Sequence, residues 1–373
     1  MKVVIAPDSF KESLTATEAA EAIYQGFYRV FPEANYDLIP VGDGGEGTVD
    51  AICNGLKLTK KTILVADGLG GQVEAEYARN EGVAAFECAT VTGLERIPLE
   101  DRKPLKISNR GIGQLILFLL DEGVREFYIG VGGSSTTDGG IGVAEGLGYQ
   151  FWDKDGNLIK AIGANLDKIA RMTSDRVPSS LKEAKIHLLV DVTNPLCGPR
   201  GASPVFGPQK GLSPTEVTWA DQALQNFYQN HHPALLNLPG AGAGGGLAAG
   251  FVAFTGARIV SGIDTVLDLL KFEERIAEAD LLIVGEGKLD RQSLSGKAPI
   301  GLARRTPNKI PIIALCGMLD EDLPLFPCQG ILAAYAAIPR LQDKEKLLSD
   351  AKKDLTNLSQ QVAQTLKLGQ HLS

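Results

Sequence analysis

Four carboxylates follow apolar segments of the sequence at positions where they could share one site. Asp8 comes shortly after the apolar run at residues 3–6, and Asp43, Asp191 and Glu286 follow later apolar segments. Ligands of an open α/β sheet bind at the carboxyl ends of its strands, so we expect these four carboxylates to converge there. A carboxylate can accept a proton as a general base or bind a hard divalent cation.

The first carboxylate begins the stretch DSFKESL at residues 8–14. This stretch places one carboxylate, two hydroxyls and the ammonium group of Lys11 in a turn between a predicted strand and a predicted helix. The helix start is indicated by Thr15 and Glu18, which together form a capping box. Lys11 is therefore a candidate to bind an anionic group at the end of the first strand.

The segment DGGEGT at residues 43–48 combines two carboxylates with three glycines. Glycine lets the backbone approach a ligand closely, and the oxygens of Asp43 and Glu46 are hard ligands suited to Mg²⁺. The alternative interpretation is a strand-to-helix turn with a solvated pair of carboxylates. We favour the functional interpretation because the pair stands at the end of a predicted strand.

Two further glycine-rich segments lie in the middle of the chain. GGSSTTDGG at residues 132–140 offers hydroxyls, backbone N–H donors and the carboxylate of Asp138, and such turns bind anions. No Walker lysine follows it, so an ordinary polar turn is the alternative. GAGAGGGLAAG at residues 240–250 is almost entirely glycine and alanine, and we expect that it cannot pack a core with side chains. We expect its backbone to approach a helix or a ligand closely, the alternative being disorder.

The segment GEGKLDRQSLSGK at residues 285–297 again concentrates acids, bases and glycines after a predicted strand. Lys297 precedes Pro299, where an ammonium group and a helix N-terminus could act on one anion. The alternative is a solvated loop. The segment FGPQKG at residues 206–211, which contains Lys210, is either a basic loop or a nucleotide contact.

Composition and charge limit the classes of function. The 373 residues are 44% hydrophobic and 22% charged, with a net charge of −8, which argues against nucleic-acid or anionic-membrane partners. An anionic substrate must therefore be received by local lysines, backbone N–H groups or a metal. The five scattered cysteines form no CxxC pair, and with no signal peptide they favour a reducing cytoplasm. The uncharged residues 222–257 contain no apolar run long enough to span a membrane.

The order of the predicted elements indicates an α/β fold with two domains. Near both chain ends, strands alternate with helices, which is typical of a parallel sheet. These strands are predicted at residues 2–6, 36–41, 281–284, 311–316 and 331–337. Five parallel strands are the flavodoxin-like count, for which 2-1-3-4-5 is one candidate order. Later helices are predicted at residues 264–279 and 344–366.

The middle of the chain lacks this regular alternation. Its predicted strands are short or isolated, at residues 62–66, 73–78, 83–88, 126–131 and 186–190. We therefore predict a discontinuous flavodoxin-like (Rossmann-type) parallel-sheet domain of residues 1–60 plus 262–373. A second, mixed α/β domain of residues 61–261 is inserted in its middle.

The glycine-rich and acidic segments, taken in order, resemble the type-1 glycerate kinase family. The matching segments are DSFKESLTA at 8–16, PVGDGGEGT at 40–48, GGSSTTDGG at 132–140, DVTNPLCGPRGASPVFGPQKG at 191–211, GAGAGGGLAAG at 240–250 and GEGKLDRQSLSGKAPIGLA at 285–303. As an ordered set they are highly specific and span nearly the whole chain. The resemblance implies ATP-dependent phosphorylation of D-glycerate to 2- or 3-phosphoglycerate with Mg²⁺, at a cleft between a flavodoxin-like domain and the inserted domain.

The residue roles that follow from this resemblance are hypotheses. Phosphoryl transfer needs positioning, charge neutralisation and a group that accepts the hydroxyl proton. Asp191 is the first candidate for that base and Asp8 the second, with Lys11 as the third catalytic residue. The candidates for substrate binding are Ser9, Asn194, Glu286 and Lys297. The candidates for nucleotide binding are Gly132, Gly133, Ser134, Ser135, Asp138, Lys210, Gly244 and Gly245. The metal candidates are Asp43 and Glu46, with Asp290 in reserve.

Three residues depart from the family's pattern. Glu12 replaces an expected Gly, Gly42 an Ala and Thr137 an Asn, and none of these changes removes an ionisable group from the motifs. Glu12 adds negative charge beside Lys11, which could alter affinity or substrate choice.

Two other functions are compatible with the residues. One is a kinase for another small hydroxy acid or polyol, and the other is a non-catalytic sensor of glycerate or nucleotide. The carboxylates and lysines argue against a sensor, which needs no proton acceptor. The sequence leaves open which hydroxyl is phosphorylated and whether the protein is a monomer or a homo-oligomer.

Overall fold

A computed structural model describes residues 1–42, 44–45, 47–291, 293–295, 297–338 and 343–372. The chain divides into two compact units. The first unit comprises Met1–Asp43, Asp50–Leu56 and Ile263–Ser373, and the second comprises Gly44–Val49 and Lys57–Gly262. The domain boundaries at residues 61 and 261 stay a prediction. Within the described ranges, no helix is both long and apolar enough to cross a membrane.

The strands are numbered in chain order. They are β1 Lys2–Pro7, β2 Asn35–Leu38, β3 Thr59–Ala66, β4 Gln72–Arg79, β5 Val83–Glu87, β6 Glu126–Gly130, β7 Gln150–Trp152, β8 Leu158–Ile159, β9 Arg171–Thr173, β10 Lys185–Leu189, β11 Arg258–Val260, β12 Leu281–Gly285, β13 Lys288–Leu289, β14 Ile312–Cys316, β15 Met318–Leu319 and β16 Ala333–Ala336.

The helices are numbered in the same way. They are α1 Ala16–Tyr28, α2 Thr48–Leu56, α3 Ala89–Thr92, α4 Arg110–Asp121, α5 Ile141–Gly146, α6 Ala202–Lys210, α7 Pro214–His231, α8 Ala243–Thr255, α9 Gly262–Leu269, α10 Phe272–Ile276, α11 Ala298–Arg305 and α12 Lys344–Leu372.

The sheet of the first unit has the strand order β16-β14-β12-β1-β2, and all its neighbours pair in parallel. Counted along this unit, the order is 2-1-3-4-5, so the flavodoxin-like prediction is confirmed. Strands β12 and β14 are buried along their whole length. This agrees with their continuous apolar sequences, because a central strand of a parallel sheet is covered on both faces.

Helix α1 begins at the predicted capping box. The backbone N–H of Glu18 donates to Thr15 Oγ1 at 3.2 Å, and the backbone N–H of Thr15 donates to Glu18 Oε2 at 3.0 Å. The helix ends at Tyr28. Helix α12 starts at Lys344, as predicted, and extends to Leu372.

The single helix predicted at residues 264–279 is wrong. Two helices, α9 and α10, occupy this segment, and Lys271 between them has a φ of 53°. This left-handed conformation is unfavourable for an L-residue with a side chain and cannot continue a right-handed helix. The apolar spacing continues across the break, so periodicity alone could not detect it.

The second unit contains a mixed sheet with the order β11-β10-β6-β5-β4-β3. Strands β3, β4 and β5 pair antiparallel, whereas β5, β6, β10 and β11 pair in parallel. The core on one face is formed by side chains of α4, α5 and α8 against strands that include β6 and β10. The prediction of a mixed α/β fold in the middle of the chain is confirmed.

The glycine run at residues 240–250 allows the close backbone approach expected from its sequence. Gly244, Gly245 and Gly246 all have positive φ values, between 67° and 85°. Further along α8, a Cβ atom on Gly250 would lie 2.5 Å from Gly140 Cα, a distance that no side chain can occupy. The run therefore packs backbone against the turn that contains Gly140.

Candidate active site

A cavity of about 520 Å³ opens at the carboxyl end of the sheet in the first unit. Its lining includes Asp8, Glu286, Gly317 and Ala337, which directly follow β1, β12, β14 and β16. These are four neighbouring strands of the sheet. The order of the strands reverses between β1 and β12, and such a switch point is where open α/β sheets bind their ligands.

The turn after β1 is fixed by two apolar anchors. Phe10 and Leu14 are buried, and their backbones exchange hydrogen bonds of 2.8 and 2.9 Å. The intervening residues Lys11 and Glu12 are exposed and line the cavity. The apolar residues at both ends of the turn thus hold the predicted lysine at the cavity.

Two carboxylates stand side by side at the floor of the cavity. Pro7 and Gly285 are partners in the parallel register of β1 and β12, so Asp8 and Glu286, the next residues, are neighbours at the strand ends. Each is only 7% exposed. Asp8 Oδ1 accepts a hydrogen bond of 2.6 Å from the backbone N–H of Ser9. The structure therefore brings together Asp8, Ser9 and Glu286 of the predicted site.

Four lysines line the cavity and differ in their ion pairs. Lys288 pairs with Asp320 at 2.5 Å, and Lys344 pairs with Glu12 at 2.6 Å. Lys11 and Lys297 form no ion pair with any part of the chain that the structure describes. Lys297 is also the residue that precedes the first turn of α11. These two ammonium groups are available to bind an anionic ligand.

Asp290 also lines the cavity. Its Oδ1 atom accepts hydrogen bonds from the backbone N–H of Ser293 at 2.9 Å and from Ser293 Oγ at 3.2 Å. Asp43 and Glu46, the first metal candidates, lie outside the described residues. Among the residues that are described, no group of three or more His, Cys, Asp or Glu side chains could hold a metal ion.

Asp191 lies in the second unit, just after β10. Its Oδ1 accepts a hydrogen bond of 3.0 Å from the backbone N–H of Gly262 and a longer one of 3.4 Å from Ser261 Oγ. Gly44 packs beside it, since a Cβ on Gly44 would lie 2.7 Å from Asp191 Oδ2. The structure thus joins Asp191 to the described part of the glycine-rich loop at residues 43–48.

The serine side chains of the turn at residues 132–140 form hydrogen bonds to the protein backbone. Ser134 Oγ donates to the carbonyl of Gly244 at 2.9 Å, and Ser135 Oγ donates to the carbonyl of Thr92 at 2.8 Å. Both serines are buried, whereas Gly132 and Gly133 are exposed. Among the residues of this turn that are predicted to bind nucleotide, only these two glycines are exposed to a ligand.

Lys210 is buried next to the same turn. It is only 3% exposed, and its ammonium group donates to Ser134 Oγ at 3.0 Å and to the carbonyl of Thr136 at 2.8 Å. Burial lowers the pKa of Lys210 to about 7, and the charge of Asp138 partly opposes this change. In this structure Lys210 holds the turn at residues 132–140, so its side chain does not face a ligand.

Asp138 completes this polar network. Its oxygens accept hydrogen bonds from the backbone N–H groups of Gly140 and Gly142 at 2.9 and 3.2 Å, and from Asn109 Nδ2 at 3.1 Å. Burial raises its pKa, and these hydrogen bonds oppose the rise. Asn109 also donates to Thr136 Oγ1 at 2.7 Å. Sequence reasoning missed Asn109, whose only signal is its position before helix α4.

The sequence predicts that Asn194 binds substrate. Its side-chain amide instead donates to the carbonyl of Arg200 at 2.8 Å and so holds its own loop.

Sequence reasoning also missed one wall of the cavity in the first unit. That wall is apolar and consists of Met318, Ala337, Ile338, Leu347, Leu348 and Ala351. The α12 members of this wall have the spacing of an ordinary core stripe, so the sequence alone could not separate a cavity wall from a core.

The fold and the cavity define an α/β protein with a lysine-lined cavity at the carboxyl ends of its parallel strands. The model of the glycerate kinase family matches residues 3–367. Glycerate kinase from Neisseria meningitidis serogroup B (strain MC58) is 49% identical over 368 residues, which cover 99% of each chain. Glycerate 2-kinase from Escherichia coli K12 is 40% identical over 376 residues and 99% of each chain.

A solved structure agrees with these matches. The crystal structure of glycerate kinase 2 from Salmonella typhimurium LT2 superposes with a TM-score of 0.86 at 40% identity, covering 100% of this chain and 99% of that chain. The chain therefore belongs to the glycerate kinase family. The predictions of this family and of an enzyme of the phosphotransferase class are confirmed.

Glu12, which stands where the family pattern has glycine, adopts a backbone conformation that favours glycine. Glu12 has a φ of 65°, where glycine costs less than other residues, and its exposed ion pair with Lys344 contributes little. We expect Glu12→Gly to be more stable than Glu12→Ala by roughly 1 kcal/mol, because both remove the charge but only glycine relieves the backbone. Urea denaturation of the two variants measures this difference. Equal stabilities would show that the left-handed conformation carries no cost at this position.

Lys210 should make stability depend on pH. Its pKa is about 7 in the folded protein and near 10.5 when unfolded, so between these values the unfolded state binds more protons. The free energy of unfolding should therefore rise with pH above 7, by roughly 1 kcal/mol per pH unit from this residue. Chemical denaturation of wild type and Lys210→Met from pH 7 to 9 should show a growing difference in favour of wild type.

The matched control for this measurement is Lys353→Met, which changes an exposed lysine. Its unfolding free energies should run parallel to those of wild type across the same pH range. A constant difference between wild type and Lys210→Met would mean that Lys210 keeps its proton in the folded protein.

Proposed function

We propose that this protein transfers the terminal phosphoryl group of ATP to a hydroxyl of D-glycerate, with Mg²⁺ as the metal. The observation that carries the proposal is the cavity of the first unit, which is lined by two buried carboxylates and by two lysines that form no ion pair within the described part of the chain. The net charge of −8 repels two anionic substrates, so local cations must bind them. Membership of the glycerate kinase family supports this choice of acceptor.

Different residues of the chain would bind the anionic groups and accept the proton. Lys11 and Lys297 bind the glycerate carboxylate or the transferred phosphoryl group through charge-assisted hydrogen bonds. A base must lie within hydrogen-bond reach of the attacking hydroxyl, and Asp8 at the cavity floor takes this role in our proposal. Asp191, held by Gly262 in the second unit, is the alternative base because its carboxylate is ordered yet exposed.

A magnesium ion in this cavity would be held partly by the substrate. Mg²⁺ is usually bound by one or two carboxylates together with phosphate oxygens and water. Glu286 and Asp290 are carboxylates of the cavity lining and would serve in this way, while Asp43 and Glu46 stay predictions. When bound, the ion would neutralise charge on the transferred phosphoryl group.

The position of phosphorylation and the cellular location complete the proposal. The E. coli relative is named glycerate 2-kinase, which favours 2-phosphoglycerate as the product. The cytoplasmic location remains a prediction from the scattered cysteines. A kinase for another hydroxy acid stays the second candidate, because a cavity of about 520 Å³ also admits larger acids.

The direct test is incubation of the protein with ATP, Mg²⁺ and D-glycerate, followed by phosphorus NMR. We expect a new phosphomonoester with the coupling pattern of 2-phosphoglycerate, and no product when Mg²⁺ is chelated. A 3-phosphate signal would reverse the regiochemistry. Turnover only with another hydroxy acid from a substrate panel would replace D-glycerate. Nucleotide binding without any turnover would favour the sensor.

The base can be identified with two matched variants. Asp8→Asn and Asp191→Asn each remove one carboxylate and keep the shape of the side chain. We expect Asp8→Asn to lower kcat by roughly 10²–10⁴-fold, the range for a general base, and to remove the acidic limb of the pH–rate profile. Steady-state kinetics at several pH values measure both effects. The same losses in Asp191→Asn, with Asp8→Asn near wild type, would transfer the role to Asp191.

A further inference from the structure

The cavity of the first unit is larger than a three-carbon acid requires. Its volume of about 520 Å³ lies in the range of sites for ligands of several hundred daltons, roughly 300–1,000 Å³. Asp8, Lys11, Glu286 and Lys297 are only four of its lining residues. The cavity therefore has room for a larger second ligand, or for a larger part of the same complex, beside a three-carbon acid.

Part of the remaining lining is an apolar wall, and the rest of it is polar. Met318 is 43% exposed and Ile338 is 38% exposed, although both are large apolar side chains. They face the same cavity as Leu347, Leu348 and Ala351, which lie along one stripe of α12. Apolar side chains that are exposed together in one concave site indicate a ligand with an apolar surface.

The chemistry of this wall suits a flat heteroaromatic ring. Branched aliphatic side chains offer a smooth contact surface, and a methionine thioether makes favourable contacts with aromatic rings. Asp354 lies at the end of the same stripe and also lines the cavity. Its carboxylate accepts hydrogen bonds, which an exocyclic amine or the hydroxyls of a ribose would donate.

The nucleotide site expected from the sequence is poorly suited to hold a base. The side chains of Ser134, Ser135, Asp138 and Lys210 are buried and hydrogen-bonded within the second unit. Gly245 is packed against the carbonyl of Thr136, which would lie 2.1 Å from a Cβ. This region therefore offers no apolar surface to a ring among the residues that the sequence singled out.

We propose that the apolar wall is the subsite for the purine base of the phosphoryl donor. The wall is formed by Met318, Ala337, Ile338, Leu347, Leu348 and Ala351. This inference rests on the proposed function, in which the donor is a nucleoside triphosphate. The base contacts the wall, Asp354 accepts hydrogen bonds from the nucleoside, and the phosphates extend toward Lys11 and Lys297. The structure thus assigns α12 a role in nucleotide specificity.

Photolabelling tests the position of the base without changing the protein. The full-length protein is irradiated with an azidoadenine analogue of ATP, digested, and mapped by mass spectrometry, with excess ATP as the competitor. We expect ATP-protected labels on peptides that contain Met318, Ile338 or the stripe at residues 347–351. Protected labels on residues 132–140 or 240–250 would overturn the inference and leave the kinase proposal standing.

A pair of substitutions on α12 supplies an independent measurement. Ala351→Trp fills the subsite, whereas Lys353→Trp places the same side chain on an exposed position outside the cavity lining. We expect Ala351→Trp to raise the Kd for ADP, measured by calorimetry, and the KM for ATP by about tenfold or more, with the KM for D-glycerate changed much less. Lys353→Trp should match wild type.

The outcomes of the two proposals are separable. Unchanged nucleotide binding in a folded Ala351→Trp protein, checked by thermal unfolding, would overturn the subsite. Because Ala351→Trp could disturb packing, Leu348→Ala serves as a second variant that enlarges the subsite and should weaken ADP binding. Failure of the kinase proposal appears differently, as absence of phosphoglycerate in the NMR assay while ADP binding and photolabelling persist.

Discussion

The site in the first unit depends on the parallel pairing of β1 with β12. Val3 to Pro7 pair with Leu281 to Gly285, and the backbone N–H of Asp8 continues the pairing with a 2.8 Å hydrogen bond to the carbonyl of Gly285. A slip of one residue would turn every side chain to the other face. The register therefore places Asp8 beside Glu286, although these residues lie near opposite ends of the chain.

The second unit shows a different use of polar residues. Asn109, Asp138 and Lys210 are buried, and each forms a hydrogen bond within the turn at residues 132–140. Asn109 and Lys210 donate to Thr136, and Asp138 accepts from the backbone N–H of Gly140. Buried polar groups are costly unless they are hydrogen-bonded, so this network favours one conformation of the turn. Its exposed part is the backbone at Gly132 and Gly133. The polar residues that look like ligand contacts in the sequence thus act as internal supports.

Helix α12 lines the cavity near its start and packs on the core further along, with one continuous apolar stripe. Leu355, Val362 and Ala363 are buried against α1, where a Cβ on Gly26 would lie 2.5 Å from Ser359 Cβ. Near the start of the helix, Leu347, Leu348 and Ala351 line the cavity, and Ala351 also packs against this core. The close packing on α1 fixes the helix, so the cavity wall is held in place by contacts made further along the same element.

The sequence alone determined the elements that depend on local signals. The buried run at residues 3–6, the capping box of Thr15 and Glu18, and the parallel sheet near the chain ends follow from apolar spacing, capping chemistry and the rule that parallel strands need crossovers. The family followed from the ordered motifs. Burial depended on tertiary structure: Lys11 and Lys210 both stand near serines in the sequence, yet Lys11 is exposed at the cavity and Lys210 is enclosed. Residues far along the chain supply the groups that bury and bind a side chain, so the sequence could not separate a ligand contact from an internal support, or the cavity stripe of α12 from a core stripe.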